Sequence, residues 1–242
     1  MQRALATTVA TVAGADGCRA GWVLVLAARS RTTVRVVRSF VEMLDAAADA
    51  DVLGIDMPIG LLEHAVPGGR DCDRRARRLL GRRACCVFTP PVRSALRART
   101  YPRALAVNRA SSAAGLGISI ECFGLFGKLR EVDAALRRRP ALARRVREVH
   151  PELAFREMAR APAGLPPKRS AAGRAARLAL LARRFPDARA AAARPPRGAA
   201  ADDVIDAHAV CWSAARIAAR RAVCLPPRPR HDACGLPMAI WY

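Results

Sequence analysis

The stretch TVATVAGADGCRAGWVLVLAA, residues 8–28, decides the fold of this chain. Its two apolar runs, 8–16 and 21–28, have the length and composition of β-strands. The short segment between them contains Gly17 and ends at Gly21, as is typical of a tight turn. The stretch therefore predicts a β-hairpin whose first strand ends in an acidic residue.

The following segments extend this hairpin into a larger sheet. Residues 32–40 alternate valines with polar residues, which predicts a third, more exposed strand, and a short helix over about 41–49 follows. The continuous apolar run DVLGIDMP, residues 51–58, is typical of a buried parallel strand. Residues 146–155, VREVHPELAF, predict a last strand that runs into a turn at Pro151.

These elements predict an α/β fold with a ribonuclease H-like, five-stranded mixed sheet flanked by helices. The first three strands are expected to be antiparallel, and the fourth and fifth parallel to the first. A helical and loop insertion follows the fourth strand. We expect residues 1–242 to form one domain, with an irregular insertion at about 84–118 and a flexible loop at about 186–200. A closing helix is predicted over about 202–221.

The composition is that of a globular cytoplasmic protein. The chain has 242 residues, and 52% of them are hydrophobic, enough for a sizeable core. No stretch approaches the roughly 18 uninterrupted apolar residues of a membrane span, so no membrane association is expected. We also expect no targeting signal, because the first apolar run ends in Asp16 rather than in a cleavage-type sequence. The eight cysteines include no C-x-x-C pair, which favours reduced thiols and argues against a zinc site.

The formal charge of +22 suggests a polyanionic partner, because arginines neutralise phosphates and release counterions. Only Lys128 and Lys168 among the 42 basic residues are lysines, so a general drift of composition towards Arg and Ala explains the excess equally well. Aromatic residues make up 5% of the chain and are not interleaved with the arginines, as platforms for stacked bases would be. The charge alone therefore leaves nucleic-acid binding open.

Three acidic segments interrupt this basic chain: GADGCRAGW around Asp16, GIDMPIG around Asp56, and ADDVIDAHAV with Asp202, Asp203 and Asp206. The first and fourth predicted strands are parallel neighbours, so Asp16 and Asp56 are expected side by side, where open α/β sheets bind ligands. Asp203 and Asp206 share one helix face, as do Asp202 and Asp206, and one pair can lean into the same cleft. Clustered carboxylates need a cation or a shared proton, and oxygen ligands favour Mg²⁺ or Mn²⁺.

Each of these acids also has a structural interpretation. Asp16 falls at a predicted turn, where Asp is common. Asp202 and Asp203 are placed to cap a helix and to interact with its dipole. Asp56 is harder to explain in this way, because a carboxylate at the end of an apolar strand needs a partner. Asp206 lies deeper in the helix, where the benefit of the dipole fades.

A second set of polar residues is predicted near the aspartates. Glu148, His150 and Glu152 alternate on the predicted last strand and share one face. Glu152 is a candidate metal ligand or water-orienting residue. His150 is a candidate catalytic residue or a simple turn residue. These two are second-tier candidates for catalysis.

Phosphate contacts are expected from Arg74, Lys128 and Lys168, although surface ion pairs, such as Lys128 with Glu131, would give the same pattern. His208, inside the last helix, is more typical of a core residue than of a base. The chain has no G-x-x-x-x-G-K-[ST] loop, no G-x-G-x-x-G after a strand and no G-x-S-x-G elbow.

The motifs together resemble a known family, the bacterial and archaeal domain of unknown function 429, whose members are predicted ribonuclease H-like nucleases. The resemblance rests on eight segments that span nearly the whole chain in order: GADGCRAGW, GIDMPIGL, RDCDRRARRLLG with the following CVFTPP, FGLFGKLREVD, REVHPELAF, PKRSAAGRAARLALL, ADDVIDAHAVCWSAARIA and GLPMAIWY.

The closing helix is also similar to that of Holliday-junction resolvases of the same superfold, whose last helix carries two metal-binding aspartates three residues apart. That similarity implies that Asp203 and Asp206 take those positions, Asp16 that of the first-strand aspartate and Asp56 that of the fourth-strand acid. The high Arg content and the insertion at about 84–118 depart from the resolvases, so their substrate does not carry over.

Residues and resemblance together lead us to expect a nuclease that hydrolyses phosphodiester bonds with Mg²⁺ or Mn²⁺, with two ions possible. Its metal ligands would be Asp16, Asp56 and Asp206, with Asp203 as a fourth ligand or outer-shell base. The expected partner is nucleic acid, and the sequence chooses neither between DNA and RNA nor among oligomeric states. Two alternatives stay open: a non-catalytic nucleic-acid-binding protein on the same fold, and a small-molecule phosphotransferase or hydrolase.

Overall fold

The computed structural model describes residues 10–28, 31–160 and 165–242. At its centre is a sheet of five strands, β1 (Val12–Cys18), β2 (Gly21–Ala28), β3 (Arg31–Val37), β4 (Val52–Ile55) and β5 (Val146–Glu148). Their order is β3-β2-β1-β4-β5. The first three strands are antiparallel, and β4 pairs in parallel with both β1 and β5. The α/β fold and the mixed sheet predicted from the sequence are confirmed.

Helices surround this sheet. In chain order they are α1 (Phe40–Ala46), α2 (Asp71–Leu80), α3 (Tyr101–Ala110), α4 (Ile120–Gly124), α5 (Phe126–Arg138), α6 (Pro151–Ala159), α7 (Ala171–Ala182), α8 (Ala188–Ala193) and α9 (Ala201–Ala218). Short 3₁₀ turns occupy Gly81–Cys86, Arg93–Arg97 and Pro140–Arg144. Within the described parts of the chain, no helix is both long and apolar enough to cross a membrane.

The sheet buries both of its faces, because strand residues alternate between two hydrophobic clusters. On one face, Leu24 and Ile55 pack with α1 and α5. On the other face, Val23 and Val25 pack with α6, α7, α8 and α9. Helices thus cover both sides of the sheet, and only its edges are left for a functional site.

Helix α9 lies directly on β1 because two glycines remove side chains from the sheet surface. Gly14 of β1 and Gly54 of β4 are register partners. A Cβ atom on Gly14 would overlap the backbone nitrogen of Cys211 and lie 2.7 Å from the carbonyl oxygen of Ala207. The pair therefore forms a shallow channel for α9, and this close approach brings α9 next to the strand residues that follow the glycines.

Strand β1 differs from its predicted bounds. The predicted residues 8 and 9 lie outside the described part of the chain, and the strand continues through Asp16 to Cys18. The hairpin turn consists of Arg19 and Ala20, so the prediction of a turn around Gly17 was wrong. Asp16 is paired with Val23 inside the ladder. Asp16 is therefore not a turn residue, but its Oδ1 accepts the N–H of Gly17 at 2.8 Å, a local hydrogen bond of the kind that its structural interpretation assumed.

The segment 146–155, predicted as a last strand that runs into a turn at Pro151, contains the main error in secondary structure. Only Val146–Glu148 are strand, and a helix begins at Pro151. Proline favours the first turn of a helix, because it has a fixed φ angle and no N–H that would need a partner there. Glu148 and Glu152 consequently lie on different elements, so the shared strand face predicted for them does not exist.

Two segments predicted to be irregular contain helices. The insertion at about 84–118 includes α3, and the loop at about 186–200 includes α8, whose Ala188 and Ala192 are buried. The C-terminal tail forms a two-stranded sheet of β6 (Cys224–His231) and β7 (Pro237–Trp241). Prolines at three positions of β6 conceal this strand from sequence reasoning.

Candidate active site

Three aspartates from three elements meet at the carboxyl edge of β1 and β4. Asp16 and Asp56 each follow a channel glycine by two residues, so they lie on the face of the sheet that α9 covers. The Asp56 N–H donates to the carbonyl oxygen of Ala15 at 2.9 Å, which continues the parallel ladder and sets the two acids side by side. Asp206 enters from α9 and is 5% exposed.

The carboxyl groups act on one another electrostatically. Burial raises the pKa of Asp16 well above its usual range, and the charges of Asp56 and Asp206 raise it further. Burial and then the charge of Asp206 raise the pKa of Asp56 to about 8. Burial also raises the pKa of Asp206. Three carboxyl groups that oppose one another's ionisation require protons or a cation among them.

Lys168 supplies one positive charge to this cluster. Its Nζ donates to Oδ2 of Asp206 at 2.9 Å, while its side chain stays 43% exposed. Burial alone would lower the pKa of Lys168, but Asp206, Asp16 and Asp56 hold it above its usual value. Lys168, predicted as a phosphate contact, therefore lies at the cluster, where it contacts a carboxylate of the site.

Asp203 lies at the edge of the cluster. Its Oδ2 accepts the N–H of Ala200 at 2.8 Å, which caps the first turn of α9. Its charge still raises the pKa of Asp16. Asp203 thus caps α9, as its structural interpretation predicted, and also lies near Asp16.

Glu152 is held by two arginines. Its Oε1 accepts from Nη2 of Arg83 at 2.9 Å and from Nη2 of Arg177 at 2.9 Å. Arg177 is 1% exposed and also donates to the carbonyl oxygen of Pro166. This network fixes the segment that leads to Lys168, so Glu152 positions the site's lysine. Glu152 also raises the pKa of Asp56, which places it close to the cluster.

His150 borders the site through a small cavity. Its Nε2 lies 3.2 Å from the carbonyl oxygen of Cys86, to which it donates, and its Nδ1 is buried without a partner in the described structure. Burial lowers the pKa of His150. A cavity of about 20 Å³ adjoins His150 and Asp56, a volume sufficient for one water molecule.

Lys128 and Arg74, the two other predicted phosphate contacts, lie in different places. The Lys128 side chain runs past Gly17, and its Nζ lies 5.9 Å from the centroid of the Trp22 ring. Arg74 is on α2, where it donates to Asp71 at 3.3 Å, and it contacts none of the three aspartates in the described structure. Lys128 therefore lies beside the residue that follows Asp16, on the opposite face of the sheet, and Arg74 does not reach the site.

His208, which the sequence favoured as a core residue, is 1% exposed and donates through Nδ1 to the carbonyl oxygen of Val204 at 2.7 Å. Its ring packs edge-on against Phe185, with the centroids 5.3 Å apart. Burial lowers its pKa. The structure therefore places His208 in the core beneath α9.

Sequence reasoning missed a buried ion triad below the site. Arg70 Nη2 donates to Oδ1 of Asp73 and to Oε1 of Glu148, both at 2.6 Å. Glu148 Oε2 also accepts the N–H of Ile59 at 2.7 Å, and Arg70 Nη1 donates to the carbonyl oxygens of Ile59 and Gly60. The triad thus anchors the loop that carries Asp56. In the sequence, only the spacing of Arg70 and Asp73 in RDCD indicates this triad. Nothing in the sequence indicates that Glu148 is their partner.

Arg70→Met should lower the free energy of unfolding by about 3 kcal/mol or more, because it leaves two buried carboxylates without their cation. Urea unfolding at pH 7 measures the change. The matched control is Arg75→Met on the same helix, whose exposed pair with Asp71 should contribute less than about 1 kcal/mol. Equal losses in the two variants would contradict the anchoring role of the triad.

A family model described as “Protein of unknown function (DUF429)” matches residues 14–231. The match includes all three site aspartates and most of the chain. The chain belongs to the DUF429 family. This confirms the family predicted from the motifs. No curated protein and no solved structure matches the chain significantly.

The donor chemistry of this DUF429 site fits a hard divalent cation. Three carboxylates supply oxygen ligands, and the cation would offset the repulsion between their negative charges. In the described ranges, no three Asp, Glu, His or Cys side chains already converge around one point at metal-binding distance. The ammonium group of Lys168 donates to Asp206 and is also close enough to Asp16 and Asp56 for their charges to raise its pKa. For the three aspartates to bind one cation together, the exposed Lys168 side chain would have to move away from Asp206.

The raised pKa of Asp56 predicts a pH-dependent stability of the DUF429 chain. Between about pH 4 and pH 8 the unfolded state releases a proton that folded Asp56 retains, so stability falls as pH rises through this window. With chelator present, Asp56→Asn should therefore raise the free energy of unfolding more at pH 8 than at pH 5. Urea unfolding at both pH values measures this, and the same pH dependence in both proteins would contradict it.

Proposed function

We propose that this chain is a Mg²⁺- or Mn²⁺-dependent phosphodiester hydrolase that acts on nucleic acid. One observation carries the proposal: Asp16, Asp56 and Asp206, from two neighbouring parallel strands and a helix, lie at one sheet edge, where the charges of Asp56 and Asp206 raise the pKa of Asp16 and the charge of Asp206 raises that of Asp56. Such an arrangement is what we expect of a ribonuclease H-like nuclease. It leaves three carboxylates that only a cation or protons can neutralise.

Asp16, Asp56 and Asp206 would hold the metal, and Asp203 would support the first of them from the outside. A bound divalent ion would activate water and stabilise the charge that develops on the phosphate. Lys168 would then exchange its contact with Asp206 for a phosphate oxygen of the substrate. Its half-exposed side chain and its fixed backbone, held through the Glu152 network, both suit such an exchange.

His150 would orient the attacking water. Because its Nε2–H is donated to Cys86, its buried Nδ1 is an acceptor, and the cavity that it shares with Asp56 has room for one water molecule. A water there would donate one hydrogen to His150 and another to the Asp56 carboxylate. This gives His150 a positioning role and Asp56 the role of proton acceptor.

The formal charge of +22 supports nucleic acid as the substrate class. The eight cysteines are all free thiols, which supports a reducing compartment, the cytoplasm.

The proposal is tested by incubating the protein with single-stranded, duplex, hybrid and branched nucleic acids in Mg²⁺, in Mn²⁺ and in chelator. We expect metal-dependent cleavage of at least one substrate. Asp206→Asn should abolish it, whereas the control Asp202→Asn, on the same helix and paired with Arg174, should keep it. No cleavage of any substrate, or equal cleavage by the Asp206→Asn variant, would contradict the proposal.

A second candidate, a non-catalytic nucleic-acid-binding protein, is favoured by the ion pair between Lys168 and Asp206. In that case the lysine serves as the permanent cation of the cluster, and no metal is needed. Binding would then be unaffected by chelator and would weaken steeply with salt, while none of the substrates would be cleaved.

A further inference from the structure

A groove of about 690 Å³ opens at the tip of the β1–β2 hairpin. Its lining includes Val36 of β3, which pairs with Val23 of β2, and Val23 pairs with Asp16, so the groove lies two strands, about 10 Å, from this acid. Its lining combines the hairpin turn at Ala20, the end of β3 at Arg38, helix α1 at Glu42, and the loop before α9 at Arg197 and Gly198. The groove thus lies between the ends of two elements that carry site aspartates. The rise of a strand places Cys18, at the end of β1, about 7 Å beyond Asp16.

We propose that Arg38 and Arg197 form a phosphate subsite that holds the nucleic-acid backbone next to the scissile phosphodiester. The inference rests on the proposed function, since it assumes that the substrate strand reaches Asp16. It adds a contact that neither the motifs nor the family match indicates.

Both guanidinium groups are available for a ligand. Arg38 and Arg197 are exposed, and neither takes part in an ion pair in the described structure. The single acid of the groove, Glu42, is already engaged, because its Oε2 accepts the N–H of Arg38 at 2.8 Å and its own N–H binds Ser39. The groove therefore carries an excess of positive charge.

The loop that carries Arg197 is held against the hairpin. The N–H of Ala20 donates to the carbonyl oxygen of Gly198 at 3.2 Å. Gly198 has a φ angle of +89°, and a Cβ atom there would overlap the side chain of Ala20. Only glycine combines this backbone angle with this close approach. The spacing between Arg197 and the hairpin is therefore set by the backbone, which pre-organises the subsite.

The positive charges near the groove favour binding of a nucleic-acid strand along a path past the aspartates. Lys128 lies beside Gly17 on one side of β1, and Lys168 lies at Asp206 on the other. Together with the two groove arginines they place cations on both sides of β1. A polyanion can approach the buried carboxylates only if cations nearby neutralise its own charges. A guanidinium group suits this role because it can donate two parallel hydrogen bonds to the oxygens of one phosphate.

The test measures binding in chelator, so it does not depend on cleavage. The probe is a fluorescein-labelled single-stranded DNA of 20 nucleotides, and its duplex is tested in parallel, with anisotropy recorded over a range of salt concentrations. Arg38→Ala/Arg197→Ala should raise Kd about tenfold. It should also reduce the slope of log Kd against log salt by about 1.4 for the single strand or about 1.8 for the duplex.

The matched control is Arg78→Ala/Arg138→Ala, which removes the same charge from exposed positions on α2 and α5. Its slope should equal that of the parent protein. Equal effects of the two double variants, or no effect of the groove variant, would overturn the subsite. If the groove variant binds normally while Asp206→Asn loses cleavage, the subsite fails and the proposed function stands. If the groove variant loses binding while the parent cleaves nothing, the two arginines still contact phosphate, but the proposed function fails and so does the position of the contact next to a scissile bond.

Discussion

Asp56→Asn should lower the rate of metal-dependent phosphodiester cleavage by at least about 10³-fold and leave the protein folded. The substitution removes one metal ligand and the proton acceptor for water, which together stabilise the transition state by several kcal/mol. The amide keeps the shape of the side chain. Because burial opposes the charge of Asp56 in the metal-free protein, the variant should also be no less stable than its parent in chelator.

Rates are measured on the best substrate under single-turnover conditions, with Mn²⁺ in excess. The matched control is Asp49→Asn, which neutralises an exposed acid just before β4. It should retain the parent rate. A rate for Asp56→Asn within about tenfold of the parent would remove Asp56 from the mechanism, whatever the rate of the control.

Gly14→Ala should destabilise the protein by more than about 4 kcal/mol or prevent folding, because one methyl group would overlap the backbone of α9. The helix cannot yield without moving Asp206 away from Asp16, since the channel glycines lie two residues before the strand aspartates. Any folded fraction should therefore also lose activity. Circular dichroism and urea unfolding measure the stability, and the cleavage assay measures the activity.

Gly127→Ala is the control for this substitution. Gly127 lies in α5, and a Cβ atom on it would have open space around it in the described structure. Alanine favours helix over glycine by up to about 1 kcal/mol. The control should therefore be neutral or more stable. If Gly14→Ala were as stable as Gly127→Ala, the close packing of α9 on β1 would be wrong, and so would the position of Asp206.

The sheet and its acidic edge could be predicted because both depend on local patterns. Hydrophobic runs identify strands, and the two parallel strands share the spacing Gly-x-Asp, at Gly14 and at Gly54. The structure gives that spacing a physical reason. The glycine admits the helix, and the acid two residues later lies on the same face beneath it.

The rest of the site depends on remote partners that a single sequence does not reveal. Arg70 and Arg177 look like members of a general arginine excess, yet they are 2% and 1% exposed and neutralise buried acids. Some of the arginines therefore stabilise the interior of the protein and are not available to bind a polyanion. The acids could be located from sequence, but their partners could not.

The local errors have simple physical causes. Pro151 was interpreted as the end of a strand, although proline equally begins a helix. The prolines of β6 argue against a strand, but they are tolerated in a sheet of only two strands, where each strand has a free edge. Neither error moves the three aspartates, because these are fixed by β1, β4 and α9.

Calorimetric titration of Mn²⁺ into chelator-treated, dialysed protein tests the central claim most directly, since it asks whether three aspartates form one cation site. We expect the parent protein to bind Mn²⁺ with release of protons, because the pKa values of the free carboxyl groups are raised. Asp16→Asn, Asp56→Asn and Asp206→Asn should each abolish binding, and Asp49→Asn should leave it unchanged. Failure of the parent to bind Mn²⁺, or binding that survives all three substitutions, would contradict the claim.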